Sequence, residues 1–399
     1  MTTAPGSPPP SVYRGGKPLL LASAVLGALG LLLTGVGALL RPRQAGFSYL
    51  VSFAYWSGLA VAALALLQSF HAAHARWPVA LRRALEVMAL TIVPLAVLFV
   101  PIALGLQGVF SWTSPPTDLP KEMLEKIAFR TWYLNVPFFL LRAVLYFGIW
   151  GLVALFLYRW SVRQDESGDP QLTVKQRRLA AGALPAVGLA MTFAAYDWLM
   201  SPSLTFRSEI LGLYWFGGSV VGVLALLVLA GTLMDGPDSF GRLLNRDHFH
   251  SLGKLMLAFT AFWAWMAFSQ GMLKWIANLP DEIPFFVTRS KAGWAWLTGF
   301  VVVGQFALPF FALLSRELKR RPRLLATVGI WTLAVHYFDV YWVVMPELHP
   351  GNPAPYFTDL TAFVGVGGVA LAVAVAAVRG KHAMPVRDPD FAESLRYRP

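Results

Sequence analysis

The sequence predicts an all-α polytopic membrane protein. It reads as ten transmembrane helices: two parallel-repeat four-helix bundles, plus a flanking first and last span. Three observations carry this. Of 399 residues, 56% are hydrophobic and only 14% charged. Apolar runs of about 18 residues or more recur, long enough to cross hydrocarbon as helices that satisfy their own backbone. And three polar motifs occur twice, in the same order.

The first motif is Q-G-x-x-x-W, at Gln107–Trp112 and Gln270–Trp275. The second is P-F-F-x-x-R, at Pro137–Arg142 and Pro284–Arg289. The third pairs Tyr196-Asp197, soon followed by Met200-Ser-Pro202, with Phe338-Asp339, soon followed by Met345-Pro346. Self-similarity at this spacing reads as an internal duplication. Four spans per copy preserve direction, so the copies are parallel rather than inverted.

Taken in order, residues 1–17 are Pro/Ser/Gly-rich and read as a disordered cytoplasmic tail. No cleavable signal is read there, and the first span is expected to be retained. A single membrane domain covers 18–378. Its spans are Pro18–Leu40, Phe47–Phe70, Ala84–Leu106, Asn135–Arg159, Arg177–Leu199, Leu211–Met234, Ser251–Asn278, Gly293–Leu314, Leu324–Met345 and Asp359–Val378. The two bundles occupy 47–199 and 211–345. Gly27, Gly30, Gly35, Gly365 and Gly368 are expected to let the flanking spans pack closely. The long connection 107–134 carries Trp112, Trp132, three prolines and a short charged helical pattern over Lys121–Arg130, and suits a docking surface. The connection 235–250 reads as a short surface helix beginning near Pro237-Asp238. Residues 379–399 form a C-terminal cytoplasmic tail.

Of the 33 Lys and Arg, 23 fall on the tails and the even-numbered connections and 8 on the odd-numbered ones. The positive-inside rule then puts both termini in the cytoplasm. The same rule accounts for the net charge of +12 without nucleic acid. There is no cysteine, which excludes disulfides, iron–sulfur ligation, c-type haem attachment and thiol chemistry. Of seven histidines only His336 lies clearly within a span, so a bis-histidine haem lacks a second ligand. No metal site is read. Any redox centre near this chain belongs to a partner. No nucleotide loop or nucleophile elbow is present.

All three motifs fall at the outward ends of spans, so the polar chemistry is expected on the outer half of the membrane. Gln270, Lys274 and Asn278 share one helical face at the end of span seven, followed at once by Asp281 and Glu282. Lys274 reads as an ion partner of Asp281 or Glu282, or as a snorkelling lysine. Arg142 lies about two turns into span four, where it needs a partner or water; Asp197 is the obvious partner, and snorkelling the alternative. Asp197 and Asp339 end outward-running helices, where a carboxylate opposes the macrodipole and suits proton acceptance, if it is not simply a solvated interfacial acid. His336 precedes Asp339 by one helical turn, and the pair can relay protons; a packing histidine is the alternative. On the cytoplasmic side, His71, His74 and Glu86, with Gln68 and Ser69, could form the mouth of an inward half-channel, or be solvated loop groups. Tyr133, Tyr146, Tyr214, Trp263 and Trp265, with Gln270, are candidates for a flat ring-binding cleft, against the commoner aromatic belt. His248 and His250 read as solvated.

The segments Phe268-Ser-Gln-Gly-Met-Leu-Lys-Trp-Ile-Ala-Asn-Leu-Pro280, Tyr133-Leu-Asn-Val-Pro-Phe-Phe139, Tyr196-Asp-Trp-Leu-Met-Ser201 and Asp339-Val-Tyr-Trp-Val-Val-Met-Pro346, with the ten-span layout, resemble the NrfD/polysulfide-reductase-like membrane subunits. The resemblance runs from about Lys17 to Val378. Within that family it is nearest to the second such subunit of alternative complex III, a bacterial quinol:cytochrome c oxidoreductase of the respiratory chain. It implies a subunit with no metal or covalent cofactor of its own. Menaquinol or ubiquinol would be the substrate. The implied partners are a sister ten-span subunit, a multihaem cytochrome c, a molybdopterin-like iron–sulfur subunit and small anchors. The expected role, in a bacterial inner membrane, is quinol access, transmembrane proton transfer, or both. Asp197, Asp339, Arg142, His336, Lys274, Asp281 and Glu282 are the proton-transfer candidates on the outer side, and Glu86 and His71 those on the inner. A secondary transporter with parallel repeats is the alternative. It asks for broken spans at corresponding depths in both copies.

Overall fold

The computed structural model describes residues 12–115, 121–234, 236, 239–278 and 283–398. Ten helices in it are long and apolar enough to cross a membrane. They are α1 (Lys17–Leu40), α2 (Pro42–Ala72), α3 (Trp77–Leu104), α4 (Val136–Ser167), α5 (Gln171–Met200), α6 (Leu211–Leu233), α7 (Arg246–Ala277), α8 (Ala292–Leu314), α9 (Pro322–Glu347) and α10 (Phe357–Val378). Among the described residues no named strand occurs.

Every expected span is present, and several run past their apolar stretch. α4 continues to Ser167, about two turns beyond Arg159. α7 starts at Arg246, where Asn245 caps it by accepting from the N–H groups of Asp247 and His248. Hydropathy reads the thickness of hydrocarbon, whereas a helix ends where its caps end it. α3 is segmented instead: its α-helical pieces Arg82–Leu90, Ile92–Leu98 and Val100–Leu104 meet at Thr91 and Phe99. Pro94 and Pro101 lack the N–H that each would give one turn back, which accounts for the breaks. Pro185 lies inside α5 without ending it. Two π-helical stretches close α5 (Tyr196–Met200) and interrupt α8 (Val302–Ala307). In the 235–250 connection, Phe240–Leu243 forms a single 3₁₀ turn; Pro237 and Asp238 lie outside the described residues.

The helices pack in two quartets with the same neighbour order. In the first, α2 and α4 each contact α3 and α5; in the second, α6 and α8 each contact α7 and α9. The quartets meet where α2 contacts α6 and α9, and where α5 contacts α6. α2 is therefore central, with 94% of its spanning stretch buried. α10 lies on α2, and α1 packs against α10.

The α1–α10 seam is built from small residues. A Cβ at Gly30 would sit 2.6 Å from the Gly365 nitrogen, and one at Gly368 would sit 2.6 Å from the Gly27 Cα. Only glycine lets the two backbones come this close. Thr34 and Thr361 hydroxyls bond across the seam at 2.9 Å. Gly35, expected in this seam, has open space beside it. It falls off the stripe of Ser23, Gly27, Gly30, Thr34 and Gly37 that α1 buries.

Both ends of the described chain lie on one face, here the terminal face. The Tyr13 N–H donates to Lys381 O (2.9 Å), and the Gly380 N–H to Tyr13 O (3.0 Å). Residues 379–398 then cross that face as a strap. Asp388 binds Arg82 of α3 (2.6 Å), Asp390 binds Arg177 of α5 (2.6 Å), and Tyr397 O accepts from Asn245 at the start of α7 (3.0 Å). The repeated motifs lie toward the opposite face, here the motif face.

Candidate functional site

Asp339 sits on α9 about two turns from its end at the motif face. It is buried, and three helices supply its partners. The Tyr214 hydroxyl from α6 donates to Oδ1. The Trp263 Nε1 from α7 donates to Oδ2 at 3.2 Å. His336, one turn back on α9, places Nδ1 3.5 Å from Oδ2. Its Nε2 lies 3.5 Å from the Ser219 hydroxyl of α6. A buried carboxylate held by neutral donors, with an imidazole alongside, can take up a proton and pass it on.

Tyr214 and Trp263 also line a cavity of about 870 Å³. Trp265, Gln270, Phe306 and Trp342 share its wall. The cavity is apolar and of the size that holds a small organic molecule. Part of its wall is the π-helical stretch of α8, whose extra residue per turn displaces Val302 and Phe306 from regular helical positions. Trp265 and Phe268 are largely exposed, so the wall reaches the outer surface of the bundle. The Ser208 hydroxyl donates to Gln270 Oε1 (2.9 Å), which orients the amide.

The ring-binding candidates therefore divide. Tyr214, Trp263, Trp265 and Gln270 come together in this cavity. Tyr133 and Tyr146 do not join them, because the first quartet holds them beside a second carboxylate, Asp197. Arg142 Nε and Nη2 donate to Asp197 at 2.8 and 2.7 Å, a bidentate pair, and the Tyr146 hydroxyl adds a third bond at 2.8 Å. Arg142 Nη1 donates to Tyr133 O (2.7 Å), and its guanidinium lies 3.8 Å from the Tyr133 ring centroid. Burial and the Asp197 charge push the Tyr133 phenol up to about 12. The pairing expected of Arg142 with Asp197 is present.

Arg289 stands at the motif position of Arg142 and behaves otherwise. Pro284–Arg289 forms its own short helix, where the repeat led us to expect the opening of span eight. The chain turns between them at Lys291, which is extended, and Ala292, which takes the left-handed φ of 46°. Arg289 is 1% exposed and gives its donors to the carbonyls of Phe285, Trp342 and Val343 (2.7–2.9 Å). Its guanidinium stacks 3.3 Å over the Phe285 ring. Burial lowers it to about 9, against the pull of Glu347, so it stays charged at neutral pH. Asp339 is thus left to Tyr214, Trp263 and His336.

On the terminal face, Glu86 is buried between Arg82 Nε (3.3 Å) and Arg83 Nη1 (2.9 Å). Arg83 continues to Asp165 of α4 (2.5 Å). His71 is 5% exposed, and its Nε2 has no hydrogen-bond partner. Gln68 is buried with it; Ser69 and His74 lie nearer the surface. The mouth expected here is covered by the strap: Asp388 and Asp390 line the same small cavity as His71, His74 and Arg82. Burial works to raise Asp388, but the charge and hydrogen bond of Arg82 outweigh it and hold the carboxyl below the usual range. His248, read as solvated, is buried beneath the strap and closes the capping box of α7. His250 is half-buried.

Lys274 lies half-buried in the last turn of α7, and Asn278 ends that helix with a left-handed φ of 48°. Asp281 and Glu282, expected to answer Lys274, lie outside the described residues.

Some buried polar groups give little warning in the sequence. Asp359 accepts from the Ser48 hydroxyl (2.5 Å) and from the Tyr356 N–H (2.9 Å). His349 Nε2 meets Gln44 Oε1 at 2.6 Å, one turn from Ser48 on α2. Asp359 opens α10, where an acid in the first turn is ordinary capping; only the serine and glutamine spaced along α2 hint at the contact. Asp388 looked like any tail acid. Among the described residues no group of three or more His, Cys, Asp or Glu could hold a metal ion. The chain matches no protein-family model and no curated protein.

Proposed function

We propose that this chain is an integral membrane subunit of a quinol-oxidising respiratory complex. A quinol ring would enter the second quartet, and Asp339 would take its proton. The observation that carries this reading is the cavity of about 870 Å³ whose wall residues Tyr214 and Trp263 are themselves hydrogen-bonded to Asp339. The aromatic lining suits a flat ring and the exposed rim suits entry from the bilayer. Gln270 supplies an amide to orient a ring oxygen. Oxidation of one quinol releases two protons and two electrons. One proton passes to Asp339 through the Tyr214 hydroxyl, and His336 accepts from Asp339, freeing the carboxylate for the second. The electrons leave to a redox centre on a partner chain. The resemblance to the NrfD-like subunits of alternative complex III supplies the partner classes: a multihaem cytochrome c, an iron–sulfur subunit and a sister ten-span chain. The Lys/Arg bias supports a cytoplasmic terminal face in the bacterial inner membrane, and so proton release at the motif face. Asp197 is assigned a tethering part, because Arg142 holds both its oxygens.

The transporter alternative finds less support. It asks for breaks at matching positions, yet the interrupted α3 and α8 correspond to α7 and α4, which run unbroken as α-helices over Arg246–Ala277 and Val136–Ser167.

The test uses the complex purified from native membranes and reconstituted in liposomes. Asp339→Asn is expected to lower kcat for quinol oxidation about a hundredfold, as loss of a general base does, with KM little changed. Ala264→Trp, which fills the cavity, is expected to raise KM. Wild-type kinetics in both variants would overturn the reading.

A further inference from the structure

We propose that the motif face carries a binding site for the phosphate of a membrane phospholipid, formed by Arg130 and Arg207. The two arginines come from separate segments. Arg130 ends the amphipathic helix Lys121–Arg130, and Arg207 lies in the loop between α5 and α6. Both face one cavity of about 400 Å³. Arg130 Nη1 donates to Leu204 O at 3.0 Å, which pins its guanidinium to that loop. Burial lowers Arg130, and the neighbouring charge of Arg207 lowers it further. Two like charges held together in a partly desolvated place repel each other unless an anion lies between them. Guanidinium forks match phosphate oxygens in geometry as well as charge. The one carboxylate among the described residues of the wall is Glu209, which is exposed at the rim.

The surroundings choose the source of the phosphate. Tyr196 also lines the cavity, and Phe193 and Leu189 follow it at one-turn intervals along the same face of α5. Phe193 is 42% and Leu189 60% exposed, so a continuous apolar track runs from the cavity down the outside of the bundle. Phe129 and Trp132 stand exposed at the level of the cavity, as aromatic side chains do at a membrane interface. An acidic protein or free phosphate has no use for such a track, whereas a phospholipid lays an acyl chain on it. An anionic head group is preferred, because it brings net negative charge to two cations. This inference does not depend on quinol chemistry.

The test is retention of lipid by the full-length chain, purified with its partners, delipidated, and titrated with phosphatidylglycerol in mixed micelles under native mass spectrometry. The wild type is expected to bind one phosphatidylglycerol at least about tenfold more tightly than phosphatidylcholine. Arg130→Ala/Arg207→Ala is expected to lose that preference, and Arg130→Lys/Arg207→Lys to keep part of it. Phe193→Ala is expected to weaken the lipid without removing the head-group preference, and serves if the double alanine variant does not fold. Three results would overturn the site: equal retention in wild type and double alanine variant, no preference between the two lipids, or displacement of the lipid by millimolar inorganic phosphate. The last would mark a free-phosphate site. Binding of an acidic protein that competes with the lipid and is insensitive to Phe193→Ala would likewise transfer the site to a protein partner.

Discussion

Asp197 and Asp339 close the same motif and meet different company. Arg142 reaches Asp197, and the pair is neutral as a unit; Arg289 turns to carbonyls, and Asp339 is met by a phenol, an indole and an imidazole. The difference was half legible. An arginine two turns into a span must find a partner, and Asp197 stood at the matching depth. That Arg289 would do otherwise was hidden, because it depends on a turn at Lys291 and Ala292 that gives an ordinary sequence signal. Asp359 was hidden for a related reason: a helix-capping acid and a buried hydrogen-bonded acid look alike until Ser48 is seen opposite. The tethering part of Arg142 has a measurable consequence. Arg142→Ala leaves Asp197 buried with only the Tyr146 hydroxyl, and the loss of a buried ion partner costs about 3–5 kcal/mol. Thermal unfolding in detergent is expected to show a clear drop in midpoint, partly restored in Arg142→Ala/Asp197→Asn. An unchanged midpoint in the single variant would remove the tether.

Among the elements, ten spans and their order were readable because membrane thickness imposes a single length on apolar stretches. Their ends were not, since α4 and α7 continue through polar residues that hydropathy discounts. The sequence reading runs span three as one continuous helix; Pro94 and Pro101 account for its breaks. Pro309, whose missing N–H falls one turn back at Gln305, stands just past the π-helical stretch of α8, but a proline does not say which irregularity follows from it. The α1–α10 seam was read from its glycines, with Gly35 the exception because it stands off the buried stripe. That seam is tight enough to test directly. A Cβ at Gly365 would lie 2.8 Å from the Leu31 nitrogen and 3.0 Å from the Gly30 carbonyl carbon, both backbone atoms. Gly365→Val therefore forces the helices apart, at a cost of about 1–3 kcal/mol or more. Gly35→Val, facing open space, is expected to change little. Engineered cysteine cross-linking between α1 and α10 is the measurement: efficiency falls in the first variant and holds in the second.

For the molecule as a whole, the least legible feature was the strap. Residues 379–398 have a tail's composition, yet they join α3, α5 and α7 across the terminal face through Asp388, Asp390 and Tyr397. Its dependence on pH follows from Asp388. Arg82 depresses that carboxyl in the folded protein, so its contribution is fully present above the ordinary aspartate value of about 3.9 and is lost as pH falls through the lower folded value. Limited proteolysis of the tail is expected to stay slow from neutral pH to about pH 5 and to quicken below about pH 4. Asp388→Asn is expected to quicken it already at neutral pH. A second whole-molecule consequence lies in how α2 is surrounded. It leaves the ribosome before α6, α9 and α10, which bury it. Gln44, Ser48, Ser52, Ser57 and Gln68 would meanwhile stand in contact with lipid or with the insertion machinery. Membrane insertion of this chain therefore cannot finish helix by helix. α2 must be sheltered until α10 is delivered, and a stalled nascent chain ending before α10 should be a preferred client of membrane quality-control proteases.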